Sequence, residues 1–183
     1  MSSATNRILL AGFGGQGILF VGKFLASLGL EQEREVTWLP SYGPEMRGGT
    51  ANCSVIISGE RIGSPIVATP DILFCMNLPS LDKFEPQMEK NGVLFYDSSL
   101  IRRGPMRNDI SAFGLPATQI ATDHQMLSLA SVILLGKLLR ETDLCDRGVA
   151  STVMQSIIPE RKKDLLAANL KALAMGFEYA AVK

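Results

Sequence analysis

The sequence predicts an α/β fold built on a mostly parallel sheet, and two features carry that expectation. Strand-like apolar runs alternate with stretches of helical periodicity, and the first such run passes straight into a glycine-rich turn followed by a helix. A third is quantitative. With 46% hydrophobic and 20% charged residues over 183 positions, the chain has material for a sizeable core, and a single domain over residues 1–183 is expected.

Taken in order, Ile8-Leu9-Leu10-Ala11 reads as a strand and Gly12-Phe13-Gly14-Gly15-Gln16-Gly17 as a turn. Ile18, Val21, Leu25 and Leu28 then recur at helical spacing, with Lys23 off that stripe, so the chain opens as a βαβ unit. Val36 to Leu39 supplies a second strand, which Pro40 is expected to end because proline brings no N–H to a ladder. Residues 41–50 hold three glycines and a proline without apolar periodicity, which predicts a loop longer than most connections. Ala51 to Ser58 is strand-like, and Gly59-Glu60 before Arg61-Ile62 predicts a short hairpin partner, an antiparallel addition to the sheet. Ile72 to Met76 is a continuous apolar run, the pattern of a strand covered on both faces. A helix is expected to begin at Pro79, to carry Leu81, Phe84 and Met88 on one face, and to stop at Asn91-Gly92. Val93 to Tyr96 reads as a buried strand closed by Asp97, and Ile110 to Phe113 as a shorter one. Three helices complete the chain: a short one after Pro116, one from about Gln125 to Arg140, and a C-terminal one striped by Leu166, Leu170, Leu173 and Phe177.

Charge and residue inventory narrow the function. Lys+Arg 18 balances Asp+Glu 18, so the chain lacks the basic field with which proteins displace counterions from nucleic acid. One histidine and three cysteines, with no Cys-x-x-Cys spacing, predict that neither zinc nor an iron–sulfur cluster is held by this chain alone. An odd number of unpaired cysteines suits a reducing compartment, and a cytoplasmic location is expected. No run approaches the roughly 20 apolar residues of a membrane span. Nor does Ile8 to Gly15 read as a signal peptide, since glycines interrupt it.

Gly12, Gly14 and Gly17 satisfy the dinucleotide pattern G-x-G-x-x-G between a strand and a helix, where backbone N–H groups and the helix dipole meet an anion. The acidic residue that would bond a ribose hydroxyl is missing, because Pro40-Ser41 stands at the end of the second strand. The turn therefore admits NAD or FAD, another phosphate-bearing ligand, or simple tight packing. Ser41 to Gly49 joins Tyr42, Glu45 and Arg47 to flexible glycines beyond a strand end, where Arg47 either grips an anion bidentately or pairs with Glu45 on the surface. His124 beside Asp123 is expected at a helix terminus in solvent rather than as a general base. Cys53 and Cys75 read as core, and Cys145 gives no lead. Asp71, Asp97 and Asp143 lack the spacing of a metal-ligand set.

The segments GFGGQGILFVGKFLA at 12–26, WLPSYGPEMRGGTANCSVIIS at 38–58, IGSP at 62–65 and DILFCMNLPSLDKF at 71–84 together resemble the gamma subunit of 2-oxoacid:ferredoxin oxidoreductases. The likeness continues through NGVLFYDSSLI and, more loosely, to Asn169, Ala172 and Gly176. It implies a Rossmann-like layered domain and an accessory subunit with no catalytic residue of its own. In that family a 2-oxoacid is oxidatively decarboxylated to its acyl-coenzyme A and electrons pass to ferredoxin. Thiamine diphosphate and iron–sulfur clusters are then expected on alpha, beta and, where present, delta partners, with coenzyme A the one ligand this chain is expected to touch. Carried over, Gly12, Gly14, Gly15, Gln16 and Gly17 form an anion-receptive turn, and Tyr42, Arg47 and Gly48 belong to a loop facing coenzyme A or partner subunits. Met46, where pyruvate-type chains have arginine, tilts the substrate toward 2-oxoglutarate or a branched-chain 2-oxoacid. The family's Gly-Asn before the long helix is Asp123-His124-Gln125 here, so no role is transferred to that position. A face built to meet other subunits also predicts a two-fold homodimer when the chain is isolated.

Overall fold

The computed structural model describes residues 5–41 and 50–180. The elements are β1 (Asn6–Phe13), α1 (Ile18–Glu31), β2 (Glu35–Ser41), β3 (Thr50–Ser58), β4 (Ile72–Cys75), α2 (Leu78–Phe84), β5 (Val93–Asp97) and β6 (Ser111–Leu115). They are followed by α3 (Ala117–Asp123), α4 (Ala130–Thr142), α5 (Arg147–Ile157) and α6 (Asp164–Glu178).

The strands form one sheet in the order β2-β3-β1-β4-β5-β6. β1, β4, β5 and β6 pair in parallel, whereas β3 runs antiparallel to both of its neighbours. Hence β2 is parallel to β1 at one remove. The opening unit is a βαβ split by a strand that returns between its two arms.

That return overturns two expectations. β2 runs through Pro40, which sits opposite Cys53 on the outermost strand, where the missing N–H costs no ladder bond because no strand lies beyond. Arg61 and Ile62 form no strand, since β3 already has β1 on one side and β2 on the other. The antiparallel addition is β3 itself.

The helices differ from expectation in three places. α2 ends at Phe84 rather than near Asn91, because Pro86 opens a 3-10 turn over Glu85–Gln87. α5 was not anticipated, although Ala150, Val153, Met154 and Ile157 make a buried helical stripe and Asp146 caps it by accepting from Val149 N at 2.8 Å. The long helix expected from Gln125 is narrower, a 3-10 turn at Leu127–Leu129 leading into α4.

Alternation along the strands divides the core. Ile8 and Leu10 of β1, with Cys53, Val55 and Ile57 of β3, face the layer of α1, α3, α4, α5 and α6. Leu9 and Ala11, with Leu73 and Cys75 of β4, face Leu81, Phe84 and Met88 on the other side. All four β4 residues are buried, as their unbroken apolar run predicts.

In the helical layer α4 and α6 touch backbone to backbone. A Cβ on Gly136 would stand 2.1 Å from the Leu173 carbonyl oxygen, and one on Gly176 1.8 Å from that of Ile133. Lys137, buried between them, donates to Glu141 at 2.6 Å and to the Tyr179 carbonyl at 3.3 Å, with its ammonium over the Phe113 ring. No helix among the described residues is long and apolar enough to cross a membrane.

Candidate functional site

β1 connects through α1 to the β2 side of the sheet, while its neighbour β4 connects through α2 to the β5 side. Ligands of open α/β sheets bind in the crevice that such a divergence opens at the carboxyl ends of the strands. Here the crevice is spanned by Gly14–Gly17 on one bank and Met76-Asn77 on the other.

The turn takes its shape from two left-handed glycines, Gly15 at φ 91° and Gly17 at φ 79°, a region that side chains disfavour. Gly17 also has no room for a side chain, because a Cβ would lie 2.3 Å from Ser131 Oγ on α4. It is the N-cap of α1 and offers no capping side chain, so the helix presents free first-turn N–H groups at this edge.

Gln16 fastens the turn across the crevice. Its Oε1 accepts from Phe13 N at 2.6 Å and from Asn77 Nδ2 at 3.1 Å, and its Nε2 donates to the Met76 carbonyl at 3.2 Å. Asn77 in turn caps α2 through Oδ1, which accepts from Ser80 N at 2.9 Å. The Gln16 amide is thus committed to protein partners, and it is the exposed edge of the turn that faces outward.

Beyond it lies a cavity of about 510 Å³ walled by Gly15, Gln16, Leu100, Thr118, Ser128 and Ser131. Among the described residues none that lines it is charged. From these residues, attraction for an anion comes through the helix N-terminus.

Asp97 holds the far wall, a role that sequence reading missed. Fully buried at the end of β5, it accepts from Ser99 N at 2.9 Å, from Thr118 N at 3.0 Å and from the Thr118 hydroxyl. The run Asp97-Ser98-Ser99 directly after an apolar strand is the signal that marks such a turn.

The second expected motif falls on residues 42–49, so Tyr42, Arg47 and Gly48 lie outside the described residues. Its anchors are informative. Ser41 ends β2, and Thr50 pairs with Phe13, the last residue before the glycine turn. Both motifs spring from the carboxyl edge of the sheet.

The remaining candidates take quieter positions. His124 is exposed at the C-cap of α3, and Asp123 accepts from Gln119 at 2.8 Å. Cys53 is fully buried, its Sγ pointing at the Ile18 carbonyl at 3.8 Å, and burial pushes its thiol up to about 12. Burial raises Cys75 as well, and raises Cys145 to about 12. Cys53 and Cys75 sit on opposite faces of the sheet, an arrangement that cannot hold a shared cluster. Among the described residues no three His, Cys, Asp or Glu side chains gather as a metal group.

Residues 7–179 match the family model described as pyruvate ferredoxin/flavodoxin oxidoreductase. The chain belongs to that family. Within it, this is a gamma-type chain of the 2-oxoacid:ferredoxin oxidoreductases. It is 39% identical over 178 residues to the ketoisovalerate oxidoreductase subunit VorA of Methanothermobacter thermautotrophicus, covering 95% of this chain but 36% of that protein. To the 2-oxoglutarate synthase subunit KorC of Methanocaldococcus jannaschii it is 34% identical over 178 residues, covering 96% and 94% of the two chains. Among solved structures it resembles the gamma subunit of a keto/oxoacid ferredoxin oxidoreductase from Geobacter sulfurreducens, with a TM-score of 0.80 at 27% identity over 94% of this chain and 96% of that one. The gamma-type chain thus spans about a third of the VorA relative and nearly all of the KorC and Geobacter ones.

Proposed function

We propose that this chain is the accessory gamma component of a cytoplasmic, coenzyme A-acylating 2-oxoacid oxidoreductase, and that its glycine turn and the 42–49 loop together form an anion contact for coenzyme A. The family match over residues 7–179 carries the reading. In it, thiamine diphosphate and iron–sulfur clusters on alpha and beta partners supply decarboxylation and electron transfer to ferredoxin, and this chain supplies surface and position. Two features of the carboxyl edge support that division. The described lining of the cavity is uncharged, its polar groups being the Gln16 amide and the hydroxyls of Thr118, Ser128 and Ser131. Around it, Phe13, Leu78, Leu100 and Leu127 are exposed large apolar side chains, a rim suited to burial against a partner.

Gly12, Gly14, Gly15, Gln16 and Gly17 shape the turn, and Arg47, with Tyr42 and Gly48 beside it, brings the cation that the neutral cavity lacks. In the assembled enzyme Arg47→Ala should raise the KM for coenzyme A by about tenfold, the worth of one charge-assisted hydrogen bond, while leaving the KM for the 2-oxoacid unchanged. An unchanged KM for coenzyme A with intact assembly would remove the anion role.

For the substrate, the form Pro-Glu-Met-Arg-Gly-Gly-Thr at 44–50, which resembles the 2-oxoglutarate branch, favours 2-oxoglutarate. The 39% identity to a ketoisovalerate-type relative favours a branched-chain 2-oxoacid instead. The ratio of kcat/KM for the two acids in the purified complex decides between them.

A further inference from the structure

Beside the glycine turn, adjoining the crevice cavity, a second cavity of about 380 Å³ opens between α1, α4 and the segment joining α5 to α6. Its size falls within the range of small-molecule sites. The walls are aliphatic and aromatic, from Phe20, Val132, Ile157, Ile158 and Leu165, and two lysines, Lys23 and Lys162, line it from opposite sides of the sequence. No Asp or Glu among the described residues lines it. Neither lysine has a carboxylate partner among the described residues, whereas neighbouring Lys163 pairs with Glu160.

Two buried polar side chains, Ser131 and Asn169, also line the pocket. Ser131 is 2% exposed, and its hydroxyl has no hydrogen-bond partner among the described residues. Asn169 is 5% exposed, and it spends its Nδ2 on the Leu165 carbonyl at 2.8 Å while its Oδ1 accepts nothing among the described residues. Neither oxygen is sealed off as a buried orphan, so both stay open at the cavity to a polar ligand group. The N-cap residue of α1, Gly17, completes the wall, which places the helix's positive end at the same site.

We infer that this pocket binds a small amphipathic anion, a carboxylate or phosphate head on a medium-length aliphatic tail. The lysines and the helix end hold the head, Ser131 donates to it, and the apolar walls take the tail. Cations on an apolar pocket free of carboxylates discriminate by charge as well as by shape: a neutral or cationic chain would leave both ammonium groups unanswered. The pocket shares Ser128 and Ser131 with the crevice cavity, so an occupant abuts the glycine turn without filling it. It uses none of the residues through which coenzyme A is proposed to bind except the backbone of Gly17.

The test is calorimetric titration of the full chain with octanoate and octyl phosphate as probes, and with acetate and octylammonium as controls. Both octyl anions should bind saturably at one site, each control at least about tenfold more weakly, a difference of about 1.4 kcal/mol. The stronger of the two anions identifies the head group. In the double variant Lys23→Gln, Lys162→Gln, and separately in Leu165→Asp, octyl-anion affinity should fall by about tenfold or more. All three positions are exposed, so the thermal transition should stay in place. Equal binding of octylammonium, affinity unaltered in both variants, or no saturable binding of either octyl anion would overturn the assignment. The site shares the α1 N-terminus with the turn, so the Lys23→Gln, Lys162→Gln variant separates the two: it should lose octyl-anion affinity while the KM for coenzyme A of the assembled enzyme stays in place.

Discussion

The two ends of the sheet are finished in opposite ways. At the amino end the strands are tied to one another and to charged side chains. Arg7 N donates to Asp71 Oδ1 at 2.7 Å, Val93 N to the Asp71 carbonyl at 2.8 Å, and Asn91 N to the Asp109 carbonyl at 2.8 Å, with Arg107 paired to Asp109 at 2.6 Å. At the carboxyl end stand a left-handed glycine turn, a neutral cavity and a rim of Phe13, Leu78, Leu100 and Leu127 exposed by 37–61%. The amino end spends these backbone and charged groups on one another. The open one keeps apolar surface and unspent helix N–H groups, as a docking and anion-contact face requires.

Placing charge on the carboxyl rim should break this contrast most severely. Leu100→Asp with Leu127→Asp should weaken assembly with the proposed alpha and beta partners by on the order of 100-fold in co-purification titrations, with stability within about 0.5 kcal/mol of the parent. Leu30→Asp, equally exposed on the far end of α1, is the control and should assemble normally. Next in size is Gln16→Ala, which strips partners from Phe13 N, the Met76 carbonyl and Asn77 Nδ2 at once. Denaturant unfolding should show a loss of about 1–3 kcal/mol.

The smallest effect belongs to the amino end and depends on pH. Burial raises the Asp71 carboxyl to about 6, with Arg7 opposing the rise. Since its folded value lies above the unfolded one near 3.9, folding favours the protonated acid. Stability is therefore fullest below about pH 4 and is lost as pH rises through 6. Asp71→Asn should unfold with a flatter pH dependence and gain roughly 1–2 kcal/mol at pH 8. A steeper dependence in the variant would contradict that cause.

How much of this was legible beforehand differs along the same divide. The strand, glycine turn and helix at 8–28 were readable because the apolar period changes from continuous to helical within a few residues. The path of β2 through Pro40 was not, because edge position is set by which strand returns beside it, and β3 inserts itself between β1 and β2 from residues further on. α5 was missed despite a complete stripe and a capping aspartate, a failure of reading rather than of signal. The carboxyl-end site was half legible. Its glycines announce a turn, but nothing local shows that Gln16 reaches Asn77, 61 positions away, or that Asp97 holds Thr118. Such contacts exist only once the sheet has brought β1, β4 and β5 together.

The central claim is that this chain works through partners. It is tested most directly by an anaerobic assay of 2-oxoacid-dependent, coenzyme A-dependent reduction of a low-potential acceptor, with the purified chain alone, the alpha and beta partners alone, and all three together. The chain alone should show no turnover, and only the three-part mixture a full rate. Turnover by the isolated chain, or a full rate from alpha and beta without it, would contradict that dependence.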